Sequence, residues 1–268
     1  MPANPSSSTN LEELAESLGE GRQHVLSLLS EKKWFRHTDF EIQRKLLTLP
    51  EDFEGFLADF SSRRDEYGGM DVIKLIDILR GNYQAIAIFQ VRSQKTNQLF
   101  TYEFTSSKFG RNPGARGIIF LEIKGELRYF ILRQTDKFAL GRQIIETIGG
   151  YIQFKNNRLL NMPTAVEEQI KKELGLRDIV VKRFIDLGLI DVDPAVTTNA
   201  TSLYAAMVDA SEVDRQRLEK KIFYTKPVSF ELVIEPIDRL REYIHKVDES
   251  FFLACISRLL AMGVVSLG

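Results

Sequence analysis

Two features are scarce in this sequence: cysteine and net charge. The single cysteine, Cys255, cannot form a disulfide within the chain, so a reducing, cytoplasmic setting is expected, with Cys255 as a small buried hydrophobic residue. The 36 basic and 37 acidic residues give a formal net charge of −1. This balance argues against a protein whose whole surface binds nucleic acid or another polyanion, and it leaves room for local basic patches.

Long apolar runs are missing as well. No stretch approaches the roughly 18 apolar residues that cross a bilayer, so no membrane partner is expected. The opening MPANPSSSTN lacks the charged and apolar regions of a secretory signal, and we expect residues 1–10 to form a flexible tail. Hydrophobic residues nevertheless make up 44% of the 268 positions, enough to bury the core of one large domain or two small ones.

Residues 11–82 carry helical periodicity. Apolar residues recur at helical spacing on both sides of a break at Gly19–Gly21, which predicts two short helices at an angle. This spacing resembles a helix-turn-helix unit, with Arg22, Gln23 and His24 near the start of a DNA-reading helix. A helical hairpin at a dimer or partner surface fits the same pattern. Further helices are predicted in three stretches: 37–49, 50–60 and 70–80.

From Asn82 the pattern changes to strands. The runs YQAIAIFQVRS and NQLFTYEFTSS predict one hairpin, and GIIFLEI with LRYFILRQ predicts a second. Two more strands are expected around the polar loop DVDPAVTTNAT, and an amphipathic helix capped by Ser250 follows near the end. We therefore expect three parts: a tail at 1–10, a helical region at 11–82 and a sheet-containing domain at 83–268.

The stretch from Glu146 to Leu176 is the centre of the chain's organisation. It predicts a strand end, a Gly149-Gly150 turn, a loop, and a helix with Val166, Ile170 and Leu174 on one face, closed by Gly175. This order resembles the Nudix box, G-x5-E-x7-R-E-U-x-E-E-x-G-U, of Mg-dependent hydrolases that act on nucleoside diphosphates linked to another group. The resemblance implies an α/β/α sandwich with a mixed sheet, here preceded by an all-helical region.

Two further elements resemble the ADP-ribose-pyrophosphatase branch of that superfamily. Pro113-Gly114-Ala115 matches an element that enters the first core strand, and Arg133-Gln134 matches a pair at the end of the next strand. Where the branch has another arginine, this chain has Asp136 and Lys137. Members of the branch commonly dimerise through strands ahead of the core, so a homodimer is a possible partner state.

The metal-binding half of the box does not align. The family's three helical carboxylates correspond to Gln169, Lys172 and Glu173, so one of the three is kept, and the loop glutamate corresponds to Asn156. An ammonium at the centre of a carboxylate cluster repels Mg, and Lys172 can itself take the place of the cation. We therefore expect a degraded metal centre, with Glu173 as the remaining metal ligand and Mg or Mn as cofactor only if hydrolysis persists.

The resemblance implies a cleft between the glycine turn, the helix and the 190–200 loop. Arg133, as a bidentate donor, suits a pyrophosphate or a carboxylate, and it can equally hold a loop in place. For Glu146, the alternative to a catalytic role is a salt bridge to Arg142 or Lys155. For the loop residues Asp191 and Asp193, the alternative to ligand binding is an Asx-turn. Catalytic candidates are Glu173, Glu168 and Glu146, and ligand-binding candidates are Arg133, Gln134, Gly149, Gly150, Lys172, Asp191 and Asp193.

Three functions compete at this point. One is a sensor or scaffold that binds an ADP-ribose or NAD type of nucleoside-diphosphate derivative, with hydrolysis lost or weak. Another is an active pyrophosphohydrolase whose metal site is rebuilt from Glu146, Glu167, Glu168 and Glu173. A third is a transcription regulator that joins a helix-turn-helix to a Nudix-like sensor. A purely structural role, with helices that mediate assembly, is a fourth.

Overall fold

The computed structural model describes residues 6–111, 114–151, 154–155, 158–159, 162–174, 180–211, 215, 222–225 and 228–267. These residues fall into two compact units, drawn from Met1–Pro113 with Asp191–Ala200 and from Gly114–Ile190 with Thr201–Gly268. The polar loop at 191–200 thus belongs with the N-terminal unit. Within the described ranges, no helix is long and apolar enough to span a membrane.

The N-terminal unit begins with helices packed around an aromatic core. Phe53, Phe56 and Phe60 are buried in this core, and Trp34 and Phe35 anchor it at 0% and 2% exposure. Helix formation starts at Ser6, within the stretch expected to be a tail, whose first five residues lie outside the described ones. The helices are α1 (Ser6–Ser17), α2 (Glu20–Ser30), α3 (Lys33–Arg36), α4 (Phe40–Leu47) and α5 (Glu54–Ser61).

An antiparallel sheet covers this core. Its strands, in spatial order, are β1 (Glu66–Tyr67), β2 (Met70–Arg80), β3 (Gln84–Ser93) and β4 (Leu99–Ser107). The helix predicted at 70–80 is wrong, because that stretch is β2. A register shift at Ile76 lets Leu75 and Ile78 share the buried face although they are three residues apart. The bulge therefore places the buried apolar residues of a strand at the spacing typical of a helix.

The structure buries Arg22, which the helix-turn-helix pattern placed near the start of a DNA-reading helix. Its side chain is buried at 6% exposure, and its Nη2 donates to the carbonyl oxygens of Leu49 (2.8 Å) and Pro50 (3.1 Å). Burial lowers the pKa of Arg22, and nearby Glu54 and Glu51 oppose that shift. Arg22 is thus a structural tie between α2 and the end of α4, while Gln23 and His24 remain exposed.

The second unit is built on a mixed sheet. Its strands are β5 (Gly114–Ile123), β6 (Glu126–Lys137), β7 (Arg142–Glu146), β8 (Ile148–Tyr151), β11 (Val180–Asp191), β12 (Ala200–Asp209), β13 (Ile222–Thr225) and β14 (Val228–Pro236), and a separate pair is formed by β9 (Phe154–Lys155) and β10 (Arg158–Leu159). The spatial order is β11-β12-β5-β6-β14-β13, with β7 also paired to β6 and β8 to β5, and β12 runs parallel to β5.

Helices cover both faces of this sheet. Alternation along β5 sends Ile119 towards α6 (Met162–Leu174), and it sends Ile118 towards α8 (Ser250–Ala261). The helix α7 (Leu240–Lys246) joins the second face, where Cys255 is fully buried as expected. The mixed α/β architecture predicted for this part of the chain is confirmed, as is the helical start of the chain.

Candidate functional site

Glu146, at the end of β7, is a buried carboxylate that contacts several cations. Its side chain is 3% exposed and contacts three cations. Arg133 Nε lies 2.7 Å from Oε1, Lys137 Nζ lies 2.9 Å from Oε1, and Arg116 Nη1 lies 3.1 Å from Oε2. Pairing of β6 with β7 sets Arg133 opposite Glu146, so sheet formation itself brings these two predicted residues together.

The cations decide the protonation state of Glu146. Burial raises the pKa of its carboxyl, but Arg116, Arg133 and Lys137 together hold it below its ordinary value. The carboxylate is therefore ionised, and a buried charge of this kind is tolerated only because it is paired and hydrogen-bonded. Three cations thus contact this one buried carboxylate.

A second carboxylate, Glu249, lies beside this group. Its Oε2 accepts from the backbone N–H of Thr147 (2.9 Å) and of Phe252 (3.2 Å), and its Oε1 accepts from the Thr147 hydroxyl (3.0 Å). Burial, reinforced by Glu146, raises the pKa of Glu249. Glu249 rather than the expected Ser250 caps α8, since the acceptor one residue earlier reaches the free amides of the first turn.

The two glycines predicted to form a turn are part of strand β8. Gly149 pairs with Arg116 and Gly150 pairs with Ala115 on β5. Gly149 has φ 152°, and a Cβ at this position would collide with the carbonyl oxygen of Ala115. Glycine is thus needed for close approach of the strands. This pairing places the preceding Glu146 next to Arg116.

The other predicted residues of this sheet have different partners from those expected. Gln134 Nε2 donates to Gln143 Oε1 on β7 (2.7 Å). The expected salt bridge from Glu146 to Arg142 is wrong, because Arg142 pairs with Asp248 at 3.1 Å. The other expected partner, Lys155, has a side chain outside the described residues.

Helix α6 is described in part. Val166, Ile170 and Leu174 form the predicted buried face. On the outer surface, Glu168 is exposed and Glu167 pairs with Lys171 at 2.7 Å. The side chains of Gln169, Lys172 and Glu173 lie outside the described residues, as do Asn156 and Gly175, so their roles stay predictions.

The 191–200 loop carries the two remaining candidates within the N-terminal unit. Asp191 pairs with Arg111 at 3.2 Å, and Asp193 Oδ1 accepts from the backbone N–H of Ala195 at 3.1 Å. The Asx-turn alternative is therefore the one observed for Asp193. A catalytic role for either aspartate stays a prediction.

Sequence reasoning missed Arg116, Lys137 and Glu249. Lys137 follows Arg133 by four residues on the same strand, a spacing that places both on one face. Arg116 is a cation near the start of a mostly apolar strand, and Glu249 directly precedes an apolar helix. Each signal was visible in the sequence, but none of them indicated that these residues lie near Glu146.

The described side chains do not suit a divalent cation. Among them, no three His, Cys, Asp or Glu residues are arranged to hold a metal. Both oxygens of Glu146 contact cations, which occupy the positions that a metal ion would need. The positive charges of Arg116, Arg133 and Lys137 suit an anion instead.

Comparison with known proteins supports the fold. No family model matches the chain, and no curated protein matches it significantly in sequence. A solved structure, titled an ADP compounds hydrolase, is similar with a TM-score of 0.51 at 11% identity, covering 75% of this chain and 99% of the other. At that identity the likeness concerns the fold alone. The chain has a mixed α/β fold similar to that of this hydrolase.

Proposed function

We propose that this protein binds a nucleoside-diphosphate derivative of the ADP-ribose or NAD type and acts as a sensor or scaffold, with metal-dependent hydrolysis lost or weak. One observation carries the proposal: Glu146 is held by Arg116, Arg133 and Lys137 and is not available to a metal ion. The structural neighbour, whose title names ADP compounds, supports a nucleotide ligand through its fold.

The cations suit a diphosphate because they are both held in place and partly accessible. Glu146 orients them from the buried side, while the side chains of Arg116 and Lys137 remain 21% and 31% exposed. A guanidinium and an ammonium at partly desolvated positions form strong charge-assisted hydrogen bonds with phosphate oxygens.

The same arrangement argues against fast hydrolysis. Pyrophosphate cleavage in the resembled family depends on metal ions that activate water and neutralise developing charge. Those ions need several carboxylate oxygens, and Gln169 and Lys172 stand at two of the three helical carboxylate positions. The residues of this chain therefore support binding better than metal-dependent chemistry.

Calorimetric titration with ADP-ribose and NAD, with and without Mg or Mn, tests the proposal. We expect binding that does not require the metal, and turnover that is absent or very slow. Lys137→Gln should weaken binding roughly tenfold, the size of a lost charged hydrogen bond. Arg128→Gln removes an exposed cation from the same strand and should leave binding unchanged, which makes it the matched control.

Two outcomes would contradict the proposal. Absence of binding to either compound would leave a purely structural role standing. Rapid metal-dependent cleavage that Glu173→Gln abolishes would support instead the active pyrophosphohydrolase with a rebuilt metal site.

A further inference from the structure

In the second unit, the chain passes from pairing with β6 to pairing with β5 at a single residue, Thr147. Strand β7 before it pairs with β6, and β8 after it pairs with β5. The first ladder ends at Glu146 and the second begins at Ile148, so neither of them includes Thr147. Thr147 is nevertheless fully buried. Contacts other than strand pairing therefore fix this junction, which directly follows Glu146.

The polar groups of Thr147 are all engaged. Its backbone N–H donates to Glu249 Oε2 at 2.9 Å, and its hydroxyl donates to Glu249 Oε1 at 3.0 Å. Its carbonyl oxygen accepts from Arg116 Nη1 at 3.4 Å, and the same nitrogen lies 3.1 Å from Glu146 Oε2. Thr147 thus links Glu249 on one side to the ion pairs of Glu146 on the other.

Glu249 connects the junction to a fixed part of the fold. Its Oε2 also accepts from the backbone N–H of Phe252 at 3.2 Å, in the first turn of α8. Phe252 and Cys255 anchor that helix in the core, where close packing restricts movement. The guanidinium carbon of Arg116 lies 5.8 Å from the ring centroid of Phe251, in the same turn. The first turn of α8 therefore supports both the junction and Arg116.

Capping of the helix does not by itself account for a glutamate at position 249. The side chains preferred at a helix N-cap are the short ones of serine, threonine, aspartate and asparagine. The longer side chain of Glu249 lets one carboxylate accept from the helix and from Thr147 at once. Because a carboxylate removed from water needs hydrogen bonds to offset its lost hydration, the contacts with Thr147 also stabilise Glu249 itself.

We propose that Glu249 and Thr147 are positioning residues of the anion site, by which we mean Glu146 and the three cations that contact it. They fix the junction between β7 and β8, and the junction holds the Glu146 carboxylate in contact with its cations. The cations then keep the arrangement that presents them to phosphate oxygens. The diphosphate ligand rests on the proposed function, whereas the positioning of Glu146 is measurable without any ligand.

Calorimetric titration of the full chain with inorganic pyrophosphate and with ADP-ribose is the first test. Glu249→Ser keeps an N-cap acceptor for α8 but is too short to hold Thr147, and Thr147→Val keeps the side-chain shape without the hydroxyl. Each should weaken both ligands roughly fivefold, the effect of one lost hydrogen bond. Thr147→Ser keeps the hydroxyl and should bind as the wild type does. The matched control is Ser250→Ala, which removes an exposed hydroxyl from the same turn and should leave binding unchanged.

The second test needs no ligand. Urea denaturation gives the stability lost on Glu146→Gln in the wild type and in Thr147→Val, and the difference between the two losses measures the coupling of the residues. The loss should be smaller in Thr147→Val, because a displaced carboxylate has already lost part of its contact with the cations. Thr147 is uncharged, so its replacement changes no direct charge–charge interaction with Glu146. Thr147→Ser should retain the full wild-type loss.

The outcomes separate this inference from the proposed function. A wild type that binds neither pyrophosphate nor ADP-ribose, but in which Thr147 and Glu146 are coupled, would support the positioning and overturn the proposed ligand. Equal losses on Glu146→Gln in both backgrounds would overturn the positioning, whatever the ligand affinity. Pyrophosphate binding that neither Glu249→Ser nor Thr147→Val weakens would overturn it as well. Circular dichroism checks folding, and Thr147→Val retains the test if Glu249→Ser fails to fold.

Discussion

Replacement of Glu146 by glutamine is the sharpest test of the charged group in the second unit. The substitution keeps the side-chain shape and removes one negative charge that three cations share. Breaking a buried ion pair by loss of one partner costs about 3–5 kcal/mol. Arg116 and Lys137 retain some contact with water, so we expect about 3 kcal/mol of lost unfolding free energy at neutral pH.

The pH dependence follows from the direction of the pKa shift. The folded-state pKa of Glu146 is depressed, so its contribution is fully present above the ordinary value of 4.5 and is lost as pH falls through the folded value. The difference between wild type and Glu146→Gln should therefore shrink in acid. Glu249 has a raised pKa, so ionising it in the folded state is unfavourable, and its effect has the opposite sign as pH rises.

Urea denaturation of wild type and Glu146→Gln across the acid range is the assay. Glu126→Gln changes an exposed carboxylate paired with Arg128, and it should alter stability by less than about 0.5 kcal/mol. A Glu146→Gln protein as stable as the wild type at neutral pH would refute the reasoning. A loss of stability that is the same at all pH values would refute the electrostatic cause.

Three further outcomes are expected. Arg22→Met should cost about 1–3 kcal/mol by urea denaturation, because the carbonyl groups of Leu49 (buried) and Pro50 (partly buried) lose their donor; the exposed Gln23→Met should cost almost nothing. Gly149→Ala should cost about 1–3 kcal/mol in the same assay, because its Cβ would force two paired strands apart. Cys255, whose pKa burial raises to about 12, should react with a thiol reagent only after the protein unfolds, and rapid labelling of folded protein would contradict its burial.

Residue patterns were reliable where local periodicity and tertiary burial agree. The face of Val166, Ile170 and Leu174 was predicted from spacing alone, and the buried Cys255 from its place in an apolar helix. The hairpin strands after residue 83 were found in the same way. In each case the side chain's environment depends on its own element, whose period is a property of nearby residues.

Residue patterns gave the wrong local structure where pairing between strands distant in sequence determined it. The stretch Met70–Arg80 has the spacing of a helix, but its bulged pairing with β3 makes it a strand. Gly149 looked like a turn residue and is a strand residue, because β5 lies too close for any side chain. These features depend on a neighbour that is not adjacent in sequence.

The order of residues was enough to predict the helical start and the change to strands after it, since these depend on residue type and local spacing. The assembled sheet was needed to choose the partners of Glu146. Arg116, Arg133 and Lys137 lie up to 30 positions away from it along the chain, and only strand pairing brings them within a hydrogen bond of one carboxylate. Charge in a folded protein acts over ångströms of space, whatever the separation in sequence.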